Sequence, residues 1–251
     1  MKHKLIVKVM VWVLAILMIL GCCTAILSAF VYAAEAASDE YVTVGLMYGS
    51  DVTVGFETVT TVGFDVYSAT LEKTERSYKK IYSIDLPKVT VVCDDNLSQT
   101  AYTYSIYNTS KKCVVGGYHV EVADNLATLE EAEAMLAYVQ NALKEEGSDM
   151  HPFIAYINGY YKVRIGDYSS EERIATKIKS VPNLAAALDL KCAVPSSTCV
   201  MVVDPLTNVI YFEYDDGGKQ MLGLKAKDKD GEKQYLRTPA GRLYDGLFLF
   251  E

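Results

Sequence analysis

The chain has 251 residues, enough for one large domain or two small ones, each with a sizeable core. It carries 24 basic and 32 acidic residues for a net charge of −8, and setting aside residues 1–36, with three Lys and one Glu, takes the balance to −10. So acidic a chain disfavours nucleic acid and anionic lipid as partners.

Lys2, Lys4 and Lys8 precede an apolar run from Val9 to Tyr32, followed by the small residues Ala33, Ala34, Ala36 and Ala37. A basic start, an apolar stretch and small residues are the layout of an export signal. The run is also long enough to cross a bilayer core of ~30 Å, so residues 1–36 read as a signal peptide or an uncleaved anchor. In either case the lysines place that end in the cytoplasm and the rest of the chain outside. Ile19-Leu20-Gly21-Cys22 is similar to a lipoprotein cleavage box, but the apolar sequence continuing past Cys23 opposes that reading.

Residues 41–108 read as all-β. The runs YVTVGLMY, VTVGFET, TVGFDVYS, KVTVVCD and TAYTYSIY are short, rich in Val, Thr and Tyr, and separated by turn residues. Their glycines suit bulges rather than a phosphate loop, because no helix start follows them.

Residues 117–195 change character. GYHVEV is a strand with Tyr118, Val120 and Val122 on one face; Thr128 and Glu131 then form a capping box. Ala132, Leu136, Val139 and Leu143 follow at helical spacing, with Gly147 as the stop. PFIAYI is another strand, turned by Asn158-Gly159 into YYKVRIGDY, where Tyr161, Val163 and Ile165 alternate with Tyr160, Lys162 and Arg164. Ser169 and Glu172 suggest a second capping box. Ile174, Ile178 and Val181 line the helix that follows, up to Pro182, and a strand near 190–194 closes the order β-α-β-β-α-β. The expected fold class is therefore α+β: a split β-α-β sandwich at 117–195 with one open sheet face, flanked by all-β segments.

Residues 199–251 return to β in CVMVVD, VIYFEY, KQMLGLKA, KQYLRT and RLYDGLFLFE, with turns at Asp204-Pro205, Asp215 to Gly218 and Asp230-Gly231. DKDGE is not a calcium loop, since its bidentate Glu would fall at Arg237. The strand pattern runs to Glu251 with no closing turn, so a fragment of a longer protein is expected.

Beyond residue 36 four cysteines remain: Cys93, Cys113, Cys192 and Cys199. In an oxidising compartment they permit two disulfides, with Cys93–Cys113 and Cys192–Cys199 the pairing suggested by chain order; unpaired, partly buried thiols are the equal alternative. No Cys-x-x-Cys occurs, so neither zinc nor another cofactor is expected. Only His119 and His151 could serve as a base outside the cell, and no Gly-x-Ser-x-Gly elbow occurs. The carboxylate pairs Asp94-Asp95, Asp215-Asp216 and Glu171-Glu172 lie in turns or at helix starts. No enzyme is legible within these residues.

Tyr118-His119-Val120-Glu121-Val122, with Tyr160-Tyr161-Lys162-Val163-Arg164-Ile165-Gly166-Asp167-Tyr168 leading into Ser169 to Glu172, resembles the SPOR domain, the sporulation-related repeat. The family typically has Gln where Glu121 stands, Arg at Lys162 and Pro at Asp167. The flanks resemble a second family, the stage II sporulation protein D and amidase-enhancer group, through Tyr41 to Ser50, Gly63-Phe64 and Tyr244-Asp245-Gly246. The second resemblance implies lytic transglycosylation by a Glu that would lie after residue 251, leaving 199–251 as the start of that domain. The first implies an exported cell-wall protein that binds peptidoglycan glycan strands. On that view Tyr156, Tyr160, Lys162, Arg164, His119 and Glu121 project from the open sheet face, the tyrosines stacking on pyranose rings. The alternative is a non-enzymatic envelope or adhesion protein whose β surfaces pair with another protein. The membrane enters only through residues 1–36.

Overall fold

The runs PFIAYI (152–157) and VMVV (200–203) are apolar at every position, which requires both faces of their sheet to be covered. The computed structural model describes residues 53–71, 76–101 and 103–250, and it shows that cover. The expected signal or anchor and the strand at 41–48 lie outside the described residues.

In chain order come β1 (Gly55–Val59), β2 (Phe64–Leu71), β3 (Arg76–Ile84), β4 (Lys88–Cys93), β5 (Leu97–Thr100), β6 (Thr103–Ile106) and β7 (Tyr118–Leu126). Then follow α1 (Leu129–Glu145), β8 (Pro152–Ile157), β9 (Tyr160–Tyr168), α2 (Glu171–Ile178), α3 (Pro182–Ala187) and β10 (Lys191–Ala193). The chain ends in β11 (Val200–Val203), β12 (Ile210–Asp215), β13 (Met221–Ala226), β14 (Leu236–Arg237), β15 (Leu243–Tyr244) and β16 (Leu247–Phe250).

Ten of the strands form one mixed sheet in the order β10-β7-β9-β8-β12-β11-β4-β1-β14-β15, in which β12 pairs parallel with β8 and the other pairs are antiparallel. A second sheet has the order β16-β13-β2-β3, and β5-β6 is a separate hairpin. This corrects the expected fold class. The described chain is mostly β, and the four strands at 117–195 do not close a sandwich of their own. They are one end of the large sheet, which continues through β12 because the apolar β8 is a central strand and not an edge. Strands from 41–108, 117–195 and 199–251 thus share one sheet and are not separate bodies.

Alternate residues along a strand face opposite sides, and here each side has its own cover. On one side α1, α2 and α3 pack on Val120, Val122, Val163 and Ile165. Beside them the small sheet packs Phe64, Ile81, Leu222 and Leu224 against Ile154, Val202 and Phe212. On the other side Leu97 and Tyr104 of the hairpin, with Val115, cover Phe153, Met201 and Val203. The hairpin is pinned to the β11–β12 turn: the Tyr104 hydroxyl donates to Asn208 Oδ1 at 2.7 Å and Gln99 Nε2 to the Pro205 carbonyl at 3.0 Å.

The local signals fare unevenly. Thr128 and Glu131 form the full capping box, and Asn158 (φ 51°) with Gly159 (φ 87°) makes the β8–β9 turn. Ser169 does not cap α2, whose N-cap residue is Ser170 with no side-chain bond. Pro182, read as a stop, is also the start of α3, where its missing N–H costs nothing. Strand β3 was not anticipated, because Lys79 and Lys80 interrupt its pattern; it is an edge strand, where lysines discourage pairing with another chain.

The cover requires close backbone approach at Gly116, where a Cβ would sit 2.2 Å from the Tyr168 carbonyl oxygen. Backbone cannot rotate away as a side chain can. Gly116→Ala is expected to lower unfolding free energy by about 1–3 kcal/mol, measured by urea denaturation; an unchanged midpoint would show that this approach is looser than described.

Candidate functional site

On β7 and β9 the residues opposite the helices are His119, Glu121, Lys162 and Arg164. Alternation places them on the side expected to be open. Glu121 and Arg164 are paired across β7 and β9, which brings guanidinium and carboxylate face to face. Arg164 Nε and Nη2 both donate to Glu121 Oε2, at 3.1 and 2.9 Å, and Lys162 Nζ meets Oε1 of the same carboxylate at 2.9 Å. Through Nη1, Arg164 also binds Glu213 Oε1 on β12. Glu213 is fully buried, Arg164 is 7% exposed and Glu121 8%. A charged row read as a ligand-facing surface is therefore an internal ion-pair network.

The network extends beyond the expected residues. Cys199 donates its thiol to Glu213 Oε1 at 3.2 Å, and the Ser196 backbone N–H donates to Asp94 Oδ2 at 2.9 Å. Asp94, Cys199 and Glu213 are all buried, and their ligand-type atoms lie within 4.8 Å of one another. Three buried atoms near this point lack hydrogen-bond partners: Asp94 Oδ1, Glu213 Oε2 and His119 Nε2. Nothing local announces the trio, since Asp94-Asp95 reads as an ordinary turn. The β4, β11 and β12 adjacency brings it together.

His119 corrects the expectation of an exposed histidine. It is fully buried, with Nδ1 at 2.7 Å from the Gly166 carbonyl and its ring edge-on to Phe153 at 5.2 Å. A carbonyl only accepts, so Nδ1 carries the proton and Nε2 presents a lone pair. Burial lowers its pKa, against the opposing pull of Glu213 and the Gly166 bond, and the neutral ring is favoured.

Tyr156 is also corrected: it projects to the opposite side, 5% exposed, in an aromatic cluster with Tyr161 and Tyr214 between the sheets. The Tyr161 hydroxyl donates to the Ile81 carbonyl at 2.8 Å, and that of Tyr214 lies 2.8 Å from Ser68 Oγ. Among the six expected glycan-binding residues, Tyr160 alone is well exposed, at 49%, with Lys162 half-buried beside it. The second histidine, His151, lines a small cleft with Asp167, Asn208 and Thr207.

Of the two arrangements left open by the sequence, the structure has unpaired thiols: Cys93, Cys113, Cys192 and Cys199 are free. Cys192 packs toward the helices whereas Cys199 faces Glu213 on the other side of the sheet, so that pair cannot meet. Cys113 donates to the Val115 carbonyl at 3.2 Å. Burial, then Glu213 and Asp94, raise the Cys199 pKa well above the usual thiol value.

Comparison with family models, with curated proteins and with solved structures finds no match. Among the described residues no helix is long and apolar enough to cross a membrane.

Two predictions follow from the network's charges. Burial first, and then Glu213, push the Asp94 carboxyl up to about 7, against the Ser196 N–H, Arg164 and Cys199. Between about pH 4 and 7 the unfolded chain has lost this proton while the native chain keeps it. Unfolding therefore becomes easier as pH rises through that window and levels off above it. Glu213 is displaced the other way: burial raises it, but Arg164, His119 and Cys199 outweigh that and hold it below its usual value. Its contribution is lost only on acidification. In chelator-treated protein, Asp94→Asn is expected to flatten the fall in stability from pH 4 to 7; an unchanged slope would assign the fall elsewhere.

Removing one partner from a buried pair leaves a charge without compensation. Arg164→Met should cost about 3–5 kcal/mol, and adding Glu213→Gln should recover part of it. A double variant less stable than Arg164→Met alone would contradict the pairing.

Proposed function

We propose that the chain is an exported cell-wall protein that binds peptidoglycan glycan strands, without chemistry of its own in the described residues. The Tyr118 to Val122 and Tyr160 to Tyr168 motifs support this reading, as does the signal-like start. The observation that carries it is the exposed Tyr160 ring two residues from Lys162, on the same side of β9, where Lys162 is held by Glu121. Lys191 on β10 lies directly across from Glu121 and extends the polar row. An aromatic face beside alternating donors and acceptors suits a sugar ring and its hydroxyls. Arg164 and His119 serve this surface by supporting it from below, not by contact.

Pelleting with insoluble peptidoglycan tests the reading, with and without its side-chain peptides removed. The protein is expected to sediment with both preparations, and more with the stripped one. Tyr160→Ala should weaken binding two- to tenfold with an unchanged fold, on the scale of one aromatic contact. Failure to sediment with either preparation, or full binding by Tyr160→Ala, would overturn it.

A further inference from the structure

We propose that Asp94, Cys199 and Glu213 form a structural binding site for a borderline divalent cation of the zinc class. The three donors come from neighbouring strands: Asp94 follows β4, Cys199 precedes β11, and Glu213 lies within β12. An ion among them would clip the ends of β4 and β11 to the middle of β12, where the connection from β10 returns across four strands to begin β11.

The geometry is that of a ligand set rather than a packed polar core. Three potential ligand atoms of the right chemistry, two carboxylate oxygens and a thiol sulfur, lie within 4.8 Å of one another. Asp94 Oδ1 and Glu213 Oε2 are buried with no hydrogen-bond partner, although unsatisfied buried polar atoms are costly in a folded protein. His119 supplies an independent observation. It is fully buried, its Nδ1 is tied to Gly166, its Nε2 lone pair is unpartnered, and Glu213 is the strongest charge acting on it. A histidine whose other nitrogen is anchored to a carbonyl is the usual arrangement of a zinc-ligating imidazole, but His119 lies outside the 4.8 Å group, so the fourth position of the tetrahedron is left to water or to a shift of this ring.

The surrounding charges balance with the ion in place. Lys162 offsets Glu121, and Arg164 offsets one further negative charge. An aspartate, a glutamate and a thiolate around a dication leave one negative charge, which is the one Arg164 meets. Binding forms metal–oxygen and metal–sulfur bonds and releases to solvent the thiol proton and any proton held on Asp94, with no change in oxidation state. The absence of any Cys-x-x-Cys hid the site from sequence reading, because its donors are far apart in the chain and two are carboxylates. The site is independent of glycan binding at Tyr160.

The probes are Zn²⁺ and Co²⁺ added to the chelator-treated full chain. One equivalent of Zn²⁺ is expected to survive desalting by elemental analysis. Co²⁺ is expected to give a thiolate-to-cobalt charge-transfer band with the intense visible absorption of four-coordination. Cys199→Ser, which keeps a donor to Glu213, should abolish that band. Asp94→Asn, whose neutral amide fits the same space, should weaken Zn²⁺ binding at least about a hundredfold, beyond the range usual for outer-shell changes. Zinc lost on desalting, no charge-transfer band, or a band that persists in Cys199→Ser would each overturn the proposal.

Discussion

One guanidinium holds three strands in register. Arg164 on β9 binds Glu121 on β7 and Glu213 on β12, and between β9 and β12 lies the apolar β8. Coulomb attraction repays the desolvation of such charges only where geometry is good and the remaining donors find partners. That condition constrains the neighbourhood. The sheet must place one acidic residue on the strand next to Arg164 and another two strands away, on the same side, and something must exclude water from above. The β5–β6 hairpin, the 113–117 segment and the β10–β11 connection provide the exclusion, and Gly116 and Gly117 let them come close: a Cβ at Gly117 would fall 2.9 Å from Asp94 Oδ1.

The two sides of the large sheet therefore do different work. The side under the helices and the small sheet is apolar and aromatic, with buried tyrosines whose hydroxyls meet a carbonyl at Tyr161, a serine hydroxyl at Tyr214 and the Lys79 ammonium at Tyr156. The other side has an apolar centre around Phe153, Met201 and Val203, and next to it the charged cluster. Where that cluster reaches the edge, at Lys162 and Tyr160, the surface is wet. Proposed ligand contact and buried charge are thus adjacent, and Glu121 belongs to both.

Much of the local structure was legible in the sequence. Period-two alternation marked β9, the Thr128–Glu131 box marked the start of α1, and Asn158-Gly159 marked the hairpin. Which side of a strand is dry was not legible at 119–121 and 162–164, because charged residues on one face read as solvent-facing until their partners are known. Glu213 sits in VIYFEY, about fifty residues from Arg164, and nothing local announces that they meet. The class of fold was missed for the same reason: strand pairing between β8 and β12 is a long-range choice, and a short module with a familiar order of elements looks self-contained. Tyrosine is ambiguous too, since Tyr156 and Tyr160, four residues apart, end on opposite sides of β8–β9, one in the core and one at the rim.

The most direct measurement is the reactivity of Arg164 toward an arginine-selective dicarbonyl reagent, read by mass spectrometry on the native chain. Arg237 and Arg242 are exposed and serve as internal references. With Arg164 sealed between Glu121 and Glu213, we expect it to stay unmodified while the references react, and to become reactive only in denaturant. Modification of Arg164 at the rate of Arg237 under native conditions would mean that this side of the sheet is open after all, and the covered network would have to be abandoned.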